Sequence, residues 1–210
     1  MKSLVHRQGL LHAETDDVLE AAFVEAEARA GMGYACRAGC SACCHQLVLC
    51  TAPEALLIAH QLRRTLTASA LAVALARLDT QVAAAAGLGF LGYSQARIPC
   101  AFLDGAGACS IYAVRPMACR ALKSFSPEAC ARRPESPLDL GAHRIPGSGP
   151  GLRIAKAIGV EHYRKLAAAG AIDPRDFTLV LPRAAAIAIT VGDGAPPDFG
   201  PARIDPKGSI

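Results

Sequence analysis

The sequence is poor in large apolar side chains. It contains no tryptophan, and only 5% of its 210 residues are aromatic, although 52% are hydrophobic and many of these are alanine. A core built from small side chains buries less apolar area, and such a fold gains stability when it binds a metal. We therefore expect an alanine-rich core that is reinforced by another interaction.

The chain also lacks a strong charge imbalance and a long apolar run. The 22 basic and 18 acidic residues give a net charge of +4 with no dense basic segment, so charge does not support nucleic-acid binding. The longest uncharged stretch, residues 80–96, contains three glycines, and Met1–Arg7 has no apolar run of signal-peptide length. We expect a cytoplasmic protein with no nucleic-acid partner and no membrane span.

Several common enzyme signatures are missing as well. The sequence has no glycine-rich nucleotide loop, no paired-carboxylate motif and no nucleophile elbow. These absences weaken an enzymatic function but do not exclude it, so the sequence leaves catalysis undecided.

Apolar periodicity predicts a mostly α fold, in which irregular cysteine-rich metal-binding loops connect the helices of one small domain. Thr51, Pro53 and Glu54 form a capping-box pattern with proline in the first turn, which predicts a helix start. The predicted helices span residues 14–31, 53–64, 67–86, 152–169 and 182–190, with a breaker-rich loop at 87–92.

The expected organisation has three parts. Residues 1–13 are predicted to be a flexible arm. Residues 14–191 are predicted to be a single helical metal-binding domain with a cysteine core at 36–130. Residues 192–210, which are rich in proline and glycine, are predicted to be an extended or disordered tail.

Cysteine is the abundant reactive residue, with nine copies. In a reducing compartment these thiols indicate metal binding or redox chemistry rather than a disulfide framework. Four closely spaced thiols repel one another as thiolates unless a cation holds them. The spacing is C-x3-C-x2-C-C, followed by C-x8-C-x9-C-x10-C, and the predicted ligands are Cys36, Cys40, Cys43, Cys44, Cys100, Cys109, Cys119 and Cys130.

Eight thiols suffice for two four-thiolate zinc sites, or for one iron–sulfur cluster and one zinc site. The adjacent Cys43 and Cys44 cannot easily chelate one ion together, because neighbouring side chains diverge. One of them is expected to serve a different ion or to bridge two. Cys50 is interpreted as a small buried hydrophobic residue, and His45 as an additional candidate ligand; both questions stay open.

Three segments carry a resemblance to a known family: CRAGCSACC at 36–44, PCAFLD at 99–104 and CSIYAVRPMACR at 109–120. Together they resemble the YkgJ-type cysteine-cluster family, the CxxCxxCC zinc- or iron-chelating domains, over about residues 32–131. The opening departs from the motif, because three residues rather than two separate Cys36 from Cys40. The family is distantly related to flagellin lysine N-methylases, so the resemblance implies chelation first and modification of protein side chains second.

Four residues near the second cysteine group are predicted to surround the metal without binding it. Guanidinium groups such as those of Arg115 and Arg120 offset thiolate charge and donate hydrogen bonds to sulfur. Tyr112, with Phe102, is expected to act as an apolar wall that keeps water from the site.

The sequence leaves three classes of function open. The first is a structural thiolate centre, with zinc (two ions) or iron as its metal, in a protein that works with a protein or peptide partner. The second is an enzyme that modifies protein or peptide side chains. The third is an iron–sulfur redox carrier or metal sensor. Cys36-x3-Cys40-x2-Cys43 also has the spacing of a radical-SAM cluster, but the chain lacks the repeated strands of that barrel.

Overall fold

The computed structural model describes residues 1–133, 135–136, 145–192 and 195–204. These residues are mostly helical, which confirms the predicted fold class. The helices in chain order are α1 (Lys2–Ala30), α2 (Ala52–Thr65), α3 (Ala68–Ala85), α4 (Phe90–Ala96), α5 (Met117–Ala121), α6 (Pro127–Ala131), α7 (Gly149–Ala168) and α8 (Leu181–Val191). Short 3-10 turns occupy Ala42–His45, Tyr112–Val114, Pro174–Phe177 and Gly200–Ala202.

Helix α1 corrects the prediction of a flexible arm at residues 1–13. It runs from Lys2 to Ala30, and the buried side chains of its first half include Gln8 and His12. The arm interpretation failed because polar residues occupy the most buried positions and interrupt a face on which Leu4, Val5 and Leu11 are only partly buried. The helix ends as expected, since Gly31 adopts the left-handed conformation that closes a C-terminus.

Helix α2 lies at the centre of the fold. It packs against α1 and α8, and residues 52–59 are all buried. The predicted capping box is present, because the Thr51 amide donates to the Glu54 carboxylate at 2.7 Å. Just before this helix, β1 (Leu49–Cys50) pairs antiparallel with β2 (Leu179–Val180), so the chain after the first cysteine stretch is tied to the C-terminal half.

Helices α3 and α4 follow as separate elements. Thr67 caps α3 by accepting from the Ala70 amide, so α2 and α3 are two helices rather than one bent helix. Part of the predicted loop at 87–92 is in fact helical, because α4 begins at Phe90. Tyr93 on α4 is 1% exposed, and this buried aromatic ring anchors a segment whose glycines suggested a loop.

The C-terminal segment 195–204 is anchored to the core, which corrects the extended or disordered tail for these ten residues. Phe199 and Ala202 are buried, and Arg203 forms ion pairs with Asp173 and Asp176. The rest of the predicted tail, apart from Gly192, lies outside the described residues. No helix in the described part of the chain is long and apolar enough to cross a membrane.

A second apolar cluster joins α1, α5 and α7. It contains Leu19, Phe23, Met117, Ala121 and Ala155. The close approach of α7 depends on Gly151, because a Cβ there would lie 2.3 Å from the Ala121 carbonyl oxygen and 2.8 Å from the Phe23 ring. This contact fixes α5, which carries Cys119.

Gly151→Ala is therefore expected to destabilise the protein by about 2 kcal/mol, because the added methyl group overpacks a contact with backbone. Gly159→Ala, on the same helix, is the matched control, since a Cβ there meets nothing within 4 Å. The control should be neutral or stabilising by up to about 1 kcal/mol. Urea unfolding of both variants measures the difference, and equal midpoints would contradict the packing described.

Candidate metal centre

The first cysteine stretch is a compact loop between α1 and β1 that ends in the 3-10 turn Ala42–His45. Aromatic contacts hold its beginning, since Tyr34 stacks on Phe125 with ring centroids 4.3 Å apart. The Tyr34 hydroxyl also donates to the Gly147 carbonyl at 2.9 Å. The residues just before Cys36 are therefore fixed against the segment that leads to Cys130.

The second group of cysteines lies on three separate supports. Cys100 and Cys109 flank a small loop closed by the antiparallel bridge between Leu103 and Cys109, whereas Cys119 lies on α5 and Cys130 on α6. Asp104 accepts from the amides of Ala106 and Ala108, which stabilises this loop as a tight turn.

The two cysteine stretches contact each other directly through their backbones. The Cys100 amide donates to the Cys44 carbonyl at 2.8 Å. Gly107 adopts a φ of 76°, and a Cβ there would lie 3.3 Å from the Gly39 carbonyl oxygen. A glycine in each loop thus lets the second stretch lie against the first.

One set of thiols joins the first stretch to α6. Burial raises the pKa of Cys36, and the nearby Cys43 and Cys40 thiols raise it further. Burial likewise raises the pKa of Cys130, and Cys43, Cys36 and Cys40 add to that effect. We call Cys36, Cys40, Cys43 and Cys130 the first thiol set.

A second set of thiols gathers around α5. Burial raises the pKa of Cys119 well above its ordinary value, and Cys100, Cys43 and Cys109 raise it further. Burial also raises the pKa of Cys100 to about 11, with Cys109 and Cys43 among the causes. We call Cys43, Cys100, Cys109 and Cys119 the second thiol set, which shares Cys43 with the first.

Cys44 is close to the shared residue. The neighbouring Cys44 side chain is the largest cause that raises the pKa of Cys43, followed by burial. Seven of the eight predicted ligands therefore fall into two neighbouring sets, and the eighth contacts the thiol that belongs to both.

Several groups in the surroundings stabilise sulfur in its anionic form. The Ser124 amide lies 3.3 Å from Cys36 Sγ, within hydrogen-bond distance. Backbone donation from Phe102 lowers the pKa of Cys100 against the larger effect of burial, and donation from Ile111 does the same for the pKa of Cys109. Amide donors of this kind are what thiolate ligands of a metal require.

The side chains are not arranged as a finished coordination shell. Within residues 1–133, 135–136, 145–192 and 195–204, no group of three or more histidine, cysteine, aspartate or glutamate side chains is placed to hold a metal ion. The donor chemistry therefore fits zinc or iron, whereas the sulfur positions require adjustment before four of them bind one ion.

The predicted surrounding residues differ in their placement. Arg115 stacks on Tyr112 at 3.6 Å from the ring centroid, and its charge lowers the pKa of Cys109 against the larger effect of burial. Tyr112 is 65% exposed and so is not an apolar wall, whereas Phe102 is buried. The guanidinium group of Arg120 donates to the backbone carbonyls of Arg115 and Ala113 and to the Asp16 carboxylate. These bonds account for its burial without a sulfur contact.

Cys50 and His45, whose role as metal ligands the sequence left open, have other contacts in the structure. Cys50 is 2% exposed, belongs to β1 and packs in the main apolar core. His45 Nδ1 lies 3.0 Å from the Ser41 carbonyl oxygen, so this nitrogen has a backbone partner.

Sequence reasoning missed three residues that position the site. Ser124 is 2% exposed and contacts both Cys36 and, through its side chain, Cys130. Glu54 receives the Met117 amide at 2.6 Å and so orients α5. Arg97 contacts the backbone of both cysteine stretches. Only Glu54 had a sequence signal, since its capping-box pattern marked a helix start.

The structure is a mostly helical chain whose two cysteine stretches lie against each other. A family model described as "CxxCxxCC: Putative zinc- or iron-chelating domain" matches residues 35–136. The match confirms the resemblance to this family over that part of the chain and indicates zinc or iron chelation there. Searches of curated proteins and of solved structures gave no match.

Proposed function

We propose that the cysteine core holds two closely spaced metal ions, one in each thiol set, with Cys43 as the thiol that connects them. The observation that carries this proposal is the position of the turn that holds Cys43. This turn packs against α6, which carries Cys130, and its Cys44 carbonyl accepts from the Cys100 amide. A thiolate with neighbours on two sides is suited to bridge two cations, which also relieves the repulsion among the other thiolates.

The centre is proposed to be structural rather than catalytic. Each set supplies four sulfur atoms, which is the number that closes a tetrahedral zinc or iron shell, whereas a catalytic zinc keeps a position for water or substrate. The metals would join the loop that follows α1, the loop between Cys100 and Cys109, and helices α5 and α6. Zinc and iron are both compatible with thiolate ligation, so the metal itself is left to experiment.

Single cysteine variants test the two sets separately. In protein purified without oxygen, Cys119→Ala and Cys130→Ala are each expected to lose one ion, because each removes a ligand from a different set. Cys43→Ala should weaken both, and Cys50→Ala is the matched control that keeps both. Native mass spectrometry counts the ions, and visible absorption separates iron–sulfur clusters from colourless zinc.

Circular dichroism of the same samples distinguishes ligand loss from misfolding. Loss of one ion by Cys119→Ala and Cys130→Ala with unchanged helical signal supports two centres. The proposal of two centres is wrong if the folded Cys119→Ala and Cys130→Ala variants both keep the full wild-type metal content.

A further inference from the structure

Arg97 stands out by its backbone conformation. It ends α4 with φ of 56° and ψ of 42°, and among the described residues it is the non-glycine residue with a positive φ. This left-handed conformation is unfavourable for a side chain with a Cβ, and it persists only where the surroundings impose it.

The side chain of Arg97 connects the two cysteine stretches. Its Nη2 donates to the Ala42 carbonyl at 3.1 Å, in the turn that carries Cys43 and Cys44. Its Nη1 donates to the Cys130 carbonyl, also at 3.1 Å, on α6. One planar guanidinium group thus holds the backbones of two segments that contribute to the first thiol set.

The base of this side chain is firmly anchored. The Arg97 amide donates to the carbonyl of Tyr93, whose buried hydroxyl contacts Gln81 Nε2 at 2.7 Å. Gln81 Oε1 in turn accepts from the Ala101 amide at 2.8 Å, next to Cys100. The left-handed turn therefore directs the guanidinium group from a rigid support.

We propose that Arg97 is a positioning residue for the metal of the first thiol set, an inference that rests on the proposed function. It acts through the carbonyls of Ala42 and Cys130 and so sets the separation between Cys130 and Cys43. Arg97 and Arg115 act in different ways. Arg97 donates hydrogen bonds to backbone carbonyls, whereas the charge of Arg115 acts to lower the pKa of the Cys43 and Cys109 thiols against larger effects that raise it.

Arg97→Gly is the informative variant, because glycine accepts the left-handed backbone while the guanidinium group is removed. Arg63→Ala is the control, since Arg63 Nη1 also donates to a carbonyl, that of Ala188, but joins α2 to α8. Competition with a chromophoric zinc chelator measures the affinity of each ion. Arg97→Gly should bind the ion of the first set about 10–100-fold more weakly and leave the other unchanged.

A double variant assigns the effect to the correct set. In the Cys130→Ala protein, adding Arg97→Gly should not lower the affinity for the remaining ion. In the Cys119→Ala protein, adding Arg97→Gly should lower the affinity for the remaining ion about 10–100-fold. If the folded Arg97→Gly protein binds both ions with wild-type affinity, the proposed role of Arg97 is wrong, whereas the proposed function stands. A wild-type protein that binds no metal would instead overturn the proposed function.

Discussion

Removing the metal with a strong chelator is expected to lower the free energy of unfolding by about 10 kcal/mol and to unfold the protein at 25 °C. The segments at 36–45 and 99–116 contain only short turns and one β-bridge, so we expect their order to depend on the metal as well as on buried side chains such as Phe102 and Ile111. Without a cation, the eight thiols supply no equivalent cross-link between the two cysteine loops, α5 and α6. Far-ultraviolet circular dichroism during chelation measures the loss of helix.

Readdition of the metal under reducing conditions is the control for this experiment, and it should restore the helical signal. The prediction is contradicted if the metal-free, reduced protein keeps its helical content and melts at the same temperature as the metal-bound form. Such a result would place the stability of the fold in the apolar cores instead.

Glu54→Ala is expected to cost about 3–5 kcal/mol, the second large effect, because it leaves buried groups without a partner. The carboxylate is 4% exposed, accepts from the amides of Met117 and Thr51, and lies 3.7 Å from His12 Nε2. Burial alone would raise the pKa of Glu54, but His12 and the two amides hold it below its ordinary value. Equilibrium urea unfolding measures the loss.

Glu54→Gln is the matched variant, because it keeps the shape and one acceptor oxygen. We expect it to cost about 1–3 kcal/mol, between the wild type and Glu54→Ala. Equal stability of all three proteins would show that the buried carboxylate does not hold α5 to α2. Because Cys119 lies on α5, the less stable variant should also bind the ion of the second thiol set more weakly.

A helix could be predicted from the sequence where the residues on its buried face are apolar. The cap at Thr51 and the apolar stripes of α3 and α8 were readable, because their signals are local. The first half of α1 was not, since the polar Gln8 and His12 occupy its most buried positions and interrupt its apolar residues. Segment 195–204 was also missed, because two side chains, Phe199 and Ala202, bury it against the core.

The candidate site was predictable to the level of its residue types. Cysteine spacing predicted eight thiol ligands and separate roles for the adjacent pair, and both stay predictions. The grouping of the thiols depends on how α5 and α6 fold back, which spacing does not give. Arg97 and Ser124 carried no signal, because they act through backbone carbonyl and amide groups. Such contacts leave no spacing pattern in a sequence.

The central claim, two metal ions held by two thiol sets that share Cys43, is tested most directly by the native mass of wild-type protein purified without oxygen. The account predicts a mass increase that corresponds to two metal ions per chain. A folded, reduced chain with the mass of the polypeptide alone would contradict it.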